Sequence, residues 1–392
     1  MRKTHFHPHS HPRIPMKTIS NAVLITLPGM EDIACQELRE QTGIAGKAFP
    51  SFVLFSAQKE QLYTLAYTSQ SARTLGIVLS LIEHQQEDPE QLIKKIMKQL
   101  NEELLKKEIT ETFHVQCLKE GYSSDLSSPD IASELAQHLI QLTGQKTTFQ
   151  DYHFELLLFL TKTHAVLLLD FSGFDLSKRD YKIFTGSYAL RAPLAYALVR
   201  LSGFDDTKKL LDPLCGAGIM PIEAAFFATR KPIHFFEKKK FLFFNDQTFS
   251  LLEKKDKEEK RPSSVIWCIG DSFHHLTWSK KNAKIGGISD ALSYSRTEVN
   301  FLDAKFEGNT FDCIVSYPPS LSRNANEKKI KKLYHELFDE AAFLLKKEGR
   351  MALLVRQEKE FLEEAERVKL SLKEKRKVSQ GKEELIILVF EK

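Results

Sequence analysis

Asp212, Cys215, Gly216 and Gly218 carry the chemistry that is most legible in this chain. They lie in the run Lys209-Leu-Leu-Asp-Pro-Leu-Cys-Gly-Ala-Gly-Ile-Met-Pro-Ile-Glu-Ala-Ala225. Leu210 and Leu211 read as a buried strand that closes on an acid, and the alanine-rich stretch beyond Gly218 reads as a helix. The two glycines remove side chains where the backbone must approach a ligand. A helix N-terminus presents unpaired backbone N–H groups, so such a turn suits a polar cofactor at the end of a parallel sheet. A carboxylate at Asp212 attracts a cationic group; the alternative is an acid that only caps its strand. Asp271, closing Cys268-Ile-Gly-Asp271, is placed to accept hydrogen bonds from ribose hydroxyls at the tip of the next strand.

These residues need elements to position them. From Thr185 onward the pattern alternates strand and helix, which favours a parallel sheet with right-handed crossovers. Strands are expected at Lys209–Asp212, Ser264–Ile269, Glu298–Leu302, Cys313–Val315, Arg350–Val355 and Glu384–Phe390. The helix Lys359–Val368 joins the last two, with an antiparallel edge. The charged stretch Glu253–Pro262 reads as a helix end and a loop. Before the glycine turn, Arg191-Ala-Pro-Leu opens a helix with first-turn Pro193 and an apolar stripe.

The N-terminal half reads as short alternating elements, an α+β pattern. Residues Asn21–Leu27 form a strand stopped by Pro28-Gly29, followed by a helix at Met30–Glu40. Strand Phe52–Phe55, helix Lys59–Thr68 and strand Arg73–Leu81 come next. A second part begins near Asp88-Pro89 with one amphipathic helix over Glu90–Lys106. Strand Phe113–Leu118, helix Asp130–Leu142 and strands Phe154–Leu160 and Ala165–Asp170 lead into Phe171-Ser-Gly-Phe-Asp-Leu-Ser-Lys-Arg-Asp-Tyr181.

Composition sets outer bounds. With 392 residues there is room for two or three domains, and 42% hydrophobic and 28% charged residues are ordinary for a soluble protein. A net charge of +4 permits nucleic-acid binding without demanding it. No apolar run approaches the roughly 20 residues of a membrane span. Five scattered cysteines without C-x-x-C spacing suggest neither a disulfide framework nor a zinc ribbon, so no metal site is assigned and a cytoplasmic setting is expected. His5, His7, His9 and His11 alternate in the first residues, either as a transition-metal site or as a tail with incidental metal affinity.

The whole string D-P-x-C-G-x-G-x-x-x-I-E-A-A, with Arg191-Ala-Pro-Leu194 before it and Pro318-Pro319 after it, resembles the S-adenosylmethionine (SAM) site of RNA guanine-N2 methyltransferases, and the element order over residues 88–181 with its closing D-F-S-G-x-D-L-S-K-R-D-Y string resembles the THUMP domain found on RNA-modifying enzymes. That resemblance implies an α/β fold: a Rossmann-like class I SAM methyltransferase domain at 182–392. It would be preceded by an α+β ferredoxin-like unit at 20–87 and a THUMP RNA-binding domain at 88–181, while composition alone marks residues 1–19 as a disordered histidine-rich tail. It also implies cofactor contacts from Arg191, Ala192, Pro193, Leu194, Asp212, Cys215, Gly216, Gly218, Asp271 and Asp303, the last touching the adenine amino group. Lys281-Asn-Ala-Lys-Ile-Gly-Gly287 matches the segment that closes the following helix.

The implied catalytic loop is Tyr317-Pro318-Pro319-Ser320. Its relatives carry N/D-P-P-F/Y, so Tyr317 replaces the amine-holding polar residue and Ser320 the base-stacking aromatic. The implied partner is RNA, with tRNA guanine-6 favoured as substrate. A 23S rRNA enzyme and a catalytically degenerate RNA-binding protein are the alternatives. The basic run from Ser322 to Lys332 suits phosphates beside the pocket, or is a solvated loop and helix start.

Overall fold

The computed structural model describes residues 19–186, 190–321, 326–381 and 383–392. The histidines at 5, 7, 9 and 11 lie outside the described residues, as do positions 322–325 of the basic run. The chain forms two compact units, each assembled from separate stretches of sequence.

The first unit takes the described residues up to Thr26, then Ala34–Leu176 and Phe235–Lys255. Its elements begin with β1 (Ile19–Ile25), α1 (Glu31–Thr42), β2 (Lys47–Phe49), β3 (Phe52–Gln58), α2 (Lys59–Thr68) and β4 (Thr74–Glu83). They continue with α3 (Pro89–Lys98), α4 (Glu102–Glu108), β5 (Phe113–Glu120), α5 (Ser128–Thr143), β6 (Phe154–Thr161) and β7 (His164–Asp170). One seven-stranded sheet runs β2-β3-β1-β4-β7-β6-β5. Residues 20–87 and 88–181 therefore share a sheet, joined by antiparallel β4 and β7. All seven residues of β7 are buried, as expected for a strand covered on both faces.

The helix expected over Glu90–Lys106 is two helices. α3 stops at Lys98, and the Asn101 side chain accepts the Leu104 N–H at 3.0 Å to start α4. A side chain that satisfies an orphan donor begins a new helix rather than continuing the old one. A larger departure is the stretch Phe235–Lys255, expected within the methyltransferase domain. Phe241, Phe243 and Leu252 lie in the core of the first unit, where Phe243 stacks on Tyr63 at 4.4 Å. Burying three such side chains contributes about 1.5–3 kcal/mol each.

The second unit comprises Leu27–Ile33, Ser177–His234 and Asp256–Lys392. In chain order, α6 (Ala192–Leu201), β8 (Lys209–Asp212) and α7 (Ile219–Thr229) come first. Helix α8 (Asp246–Asp256), almost wholly part of the first unit, precedes β9 (Val265–Gly270), α9 (Phe273–Gly286) and β10 (Leu292–Arg296). The remainder is β11 (Phe311–Ser316), α10 (Glu327–Leu344), β12 (Leu345–Val355), α11 (Lys359–Arg367), β13 (Ser371–Gln380) and β14 (Glu383–Glu391).

The sheet order is β10-β9-β8-β11-β12-β14-β13. Strands β10, β9, β8, β11 and β12 are parallel, while β14 is antiparallel to both neighbours. This is a Rossmann-like sheet. Two expectations are corrected here. The third strand is β10 at Leu292–Arg296, and Val299–Phe301 is a short 3-10 turn. The antiparallel strand β14 is interior, and the edge is β13, Ser-Leu-Lys-Glu-Lys-Arg-Lys-Val-Ser-Gln. Its charges hide it from a search for apolar alternation, and they suit an edge that must resist pairing with another chain.

Candidate active site

Strands β9 and β10 extend the sheet on one side of β8, and β11 and β12 on the other. The strand order thus reverses at β8 and β11, and ligands of open α/β sheets bind in the crevice beyond the carboxyl ends at such a reversal. Asp212 is the last residue of β8 and Ser316 the last of β11, with Leu211 opposite Ile314. Alternation puts Asp212 and Tyr317 on one face, where Leu210, Cys313 and Val315 join the apolar cluster of α6 and α7. Leu211 and Ile314 face the cluster of α10 and α11 instead.

Asp212 is fully buried. Its Oδ1 accepts the Leu214 N–H at 3.1 Å, while Oδ2 has no partner. Burial pushes its carboxyl up to about 8. An orphaned carboxylate oxygen costs free energy until a donor reaches it. A ligand carrying an ammonium or sulfonium group supplies what this position lacks.

The turn itself is held from below. Cys215 donates its N–H to the Ile269 carbonyl of β9 at 2.9 Å, and Gly218 donates to Cys215 at 2.7 Å. Gly218 has φ +79°, and a Cβ there would lie 1.9 Å from Ser279 Oγ. Gly216 has φ +49°, and a Cβ there would meet nothing closer than Leu214 O at 4.0 Å. One glycine therefore answers close packing against α9, and the other leaves open space for a ligand. The hydrogen bond with Cys268, then burial, raises the Cys215 thiol well above its ordinary value, so it is a packing group rather than a nucleophile.

Two supports carry roles that the sequence reading left unassigned. Asn282 donates from Nδ2 to the carbonyls of Ala217 (3.0 Å) and Phe184 (2.8 Å), and its Oδ1 accepts the Phe184 N–H at 3.0 Å. That explains the N-A-x-x-x-G segment, whose asparagine ties α9 to the glycine turn. Glu223 of α7 is fully buried and receives Arg179 at 3.0 and 3.3 Å and Tyr181 at 2.7 Å. The Arg-Asp-Tyr end of the Phe171–Tyr181 string thus neutralises the acid of the I-E-A-A helix. A charge complement between two quoted strings was the available signal.

The other sequence candidates separate. Asp271 follows the tip of β9 with its side chain exposed, and its carbonyl accepts Arg296 Nε at 2.9 Å. Asp303 does not sit at a strand tip. It is exposed, beyond the 3-10 turn and beside Glu340 of α10, whose carboxyl is pushed up to about 7 by burial and by the Asp303 charge. The acid just past β10 is Glu298, also exposed. Ala192, Pro193 and Leu194 are buried in α6, whereas Arg191 is half-buried and its N–H reaches Gln380 Oε1 at 2.8 Å.

At the tip of β11, Tyr317 is half-buried against the same apolar cluster as Cys215 and Ile219. Pro318 is buried, and Pro319 and Ser320 are half-buried. The Tyr334 hydroxyl of α10 donates to the Pro319 carbonyl at 2.5 Å and fixes the loop. In the basic run, Lys331 and Lys332 pair with Glu327 and Glu336 along α10. No helix among the described residues is long and apolar enough to cross a membrane, and no group of three or more potential metal ligands occurs among them.

Residues 179–385 match the family described as RMKL-like, methyltransferase domain. The tRNA (guanine(6)-N2)-methyltransferase of Methanocaldococcus jannaschii is 26% identical over 376 residues, spanning 90% of this chain and 95% of that protein. The ribosomal RNA large subunit methyltransferase K/L of Buchnera aphidicola is 30% identical over 181 residues, 44% of this chain and 26% of that one. The crystal structure of TrmN from Thermus thermophilus superposes with a TM-score of 0.68 at 21% identity, covering 96% of this chain and all of that one.

Proposed function

The chain belongs to the RMKL-like methyltransferase domain family, and from that premise we propose that it methylates the exocyclic N2 of guanine in structured RNA, at position 6 of tRNA. The observation that carries the choice of tRNA is the span of the likeness. The guanine-6 enzyme matches 90% of this chain, including the first unit, whereas the rRNA enzyme matches 44%. On this reading residues 20–181 hold the RNA as a ferredoxin-like unit and a THUMP domain, and the protein works in the cytoplasm.

Bound SAM supplies an electrophilic methyl group on a sulfonium. The residues present fit it, since Asp212 offers an unpartnered buried oxygen to its cationic end and Gly216 leaves room for close backbone approach. Asp271 serves the ribose hydroxyls. The Tyr317–Ser320 loop positions the amine, a task of alignment more than of acid–base chemistry. A target base in a duplex must first be exposed.

Purified protein incubated with methyl-labelled SAM should modify tRNA and leave ribosomal RNA unlabelled. Nucleoside mass spectrometry of cellular RNA with and without the gene should show loss of N2-methylguanosine from tRNA. Loss from ribosomal RNA alone would select the rRNA enzyme, and no loss from any RNA would select an RNA-binding protein without turnover.

A further inference from the structure

Pro318 and Ser320 border a depression at the tips of β11 and β12. Its remaining walls include Tyr334 of α10, Arg356 just past β12, and Glu360 and Phe361 from the first turn of α11. The Tyr334 and Phe361 rings lie 4.3 Å apart and are almost wholly buried, so they form a rigid apolar side. Arg356 is already engaged in an ion pair with Glu383. Glu360 is different: it is half-buried, and among the described residues its carboxylate makes no hydrogen bond or ion pair.

An ionised carboxylate offers only acceptors, two oxygens side by side. Guanine presents two parallel donors, N1–H and N2–H, along one edge, and a two-point bond to a carboxylate satisfies both. Adenine and 2-aminopurine place an acceptor at N1, which faces a carboxylate unfavourably. We propose that Glu360 reads the target base by accepting N1–H and N2–H of guanine, beside the Pro318–Ser320 loop. The role rests on the guanine-N2 reading above and adds the residue that sets the base. It also supplies an acceptor for the amine at a loop where Tyr317 stands in place of a carboxylate or amide.

The test uses two tRNA transcripts, one with guanine and one with 2-aminopurine at position 6, bound to the full chain with S-adenosylhomocysteine present. A well-made two-point contact discriminates by about 1–3 kcal/mol, so the wild type should prefer the guanine transcript by roughly fivefold to 150-fold. Glu360→Gln should abolish or invert that preference, because an amide N–H donates to the 2-aminopurine N1. Glu360→Asp should keep its sign. Unchanged S-adenosylhomocysteine affinity and unfolding temperature in Glu360→Gln would separate base reading from a folding role. A Glu360→Gln protein that retains the full guanine preference overturns the role of Glu360 while leaving the methylation intact. A wild type that neither binds nor methylates the guanine transcript overturns the functional reading itself.

Discussion

The tips of β8 and β11 lie on neighbouring parallel strands, yet they are built in opposite ways. At β8 nearly every constraint is local or backbone-made: two glycines with positive φ, an amide bonded to β9, a buried acid with one free oxygen. At β11 only the two prolines are local. The loop is fixed by a hydroxyl from α10, and the depression beside it draws on the tip of β12 and the start of α11. The β8 tip is specified by a short string; the β11 tip is assembled with about forty residues of later chain. The surroundings of the β11 tip can therefore change without disturbing the glycine turn.

The largest expected effect is at the first tip. Asp212→Ala should weaken SAM binding at least 100-fold by calorimetry, because it removes the buried carboxylate whose unpartnered oxygen is proposed to meet the cationic end. Protonation gives an independent check. Without ligand, the folded Asp212 keeps its proton to about pH 8, whereas the unfolded residue loses it near 3.8. The native state then holds more protons in that window, so stability falls as pH rises from about 4 to about 8. Asp212→Asn should flatten that fall in thermal unfolding. Cofactor binding to the wild type below pH 8 should release a proton, seen as buffer-dependent calorimetric heats.

Gly218→Ala should come next, costing about 1–3 kcal/mol through overpacking against Ser279, with added strain at φ +79°. Adding Ser279→Gly should recover part of the unfolding temperature. No recovery would place the whole cost in the backbone.

Tyr317→Ala sharpens the contrast between the tips. It should leave SAM affinity within about twofold and lower single-turnover methylation by roughly tenfold, in the range expected of a positioning group. Loss of SAM binding in that variant would merge the two tips into one site. The smallest effect is expected from Asp303→Asn. Its side chain lies beside Glu340 rather than at a strand tip, so SAM affinity should stay within about twofold, whereas Asp271→Asn should lower it several-fold.

How much of this was readable depended on where each constraint came from. The strand-turn-helix at Lys209–Ala225 was legible because glycine, proline and apolar runs report backbone conformation directly. β10 was misplaced because Val299–Leu302 is apolar enough to read as a strand, while the true strand, Leu-Ser-Tyr-Ser-Arg, is mostly polar. β13 was missed for the same reason in stronger form, its pairing with β14 outweighing a sequence of five consecutive charges. The Asn282 and Glu223 contacts join residues 42 or more positions apart, and no local pattern encodes them.

The sequence by itself determined the glycine turn, the parallel sheet that carries it and the double proline at the next strand tip. Each is a matter of local backbone geometry, written in residues that allow few alternatives. Only the tertiary structure decided which acids are buried and which exposed, that residues 235–255 belong with the first unit, and that Glu360 stands beside the Pro318–Ser320 loop. Those outcomes depend on which distant surfaces bury one another, and burial is a property of the assembled chain.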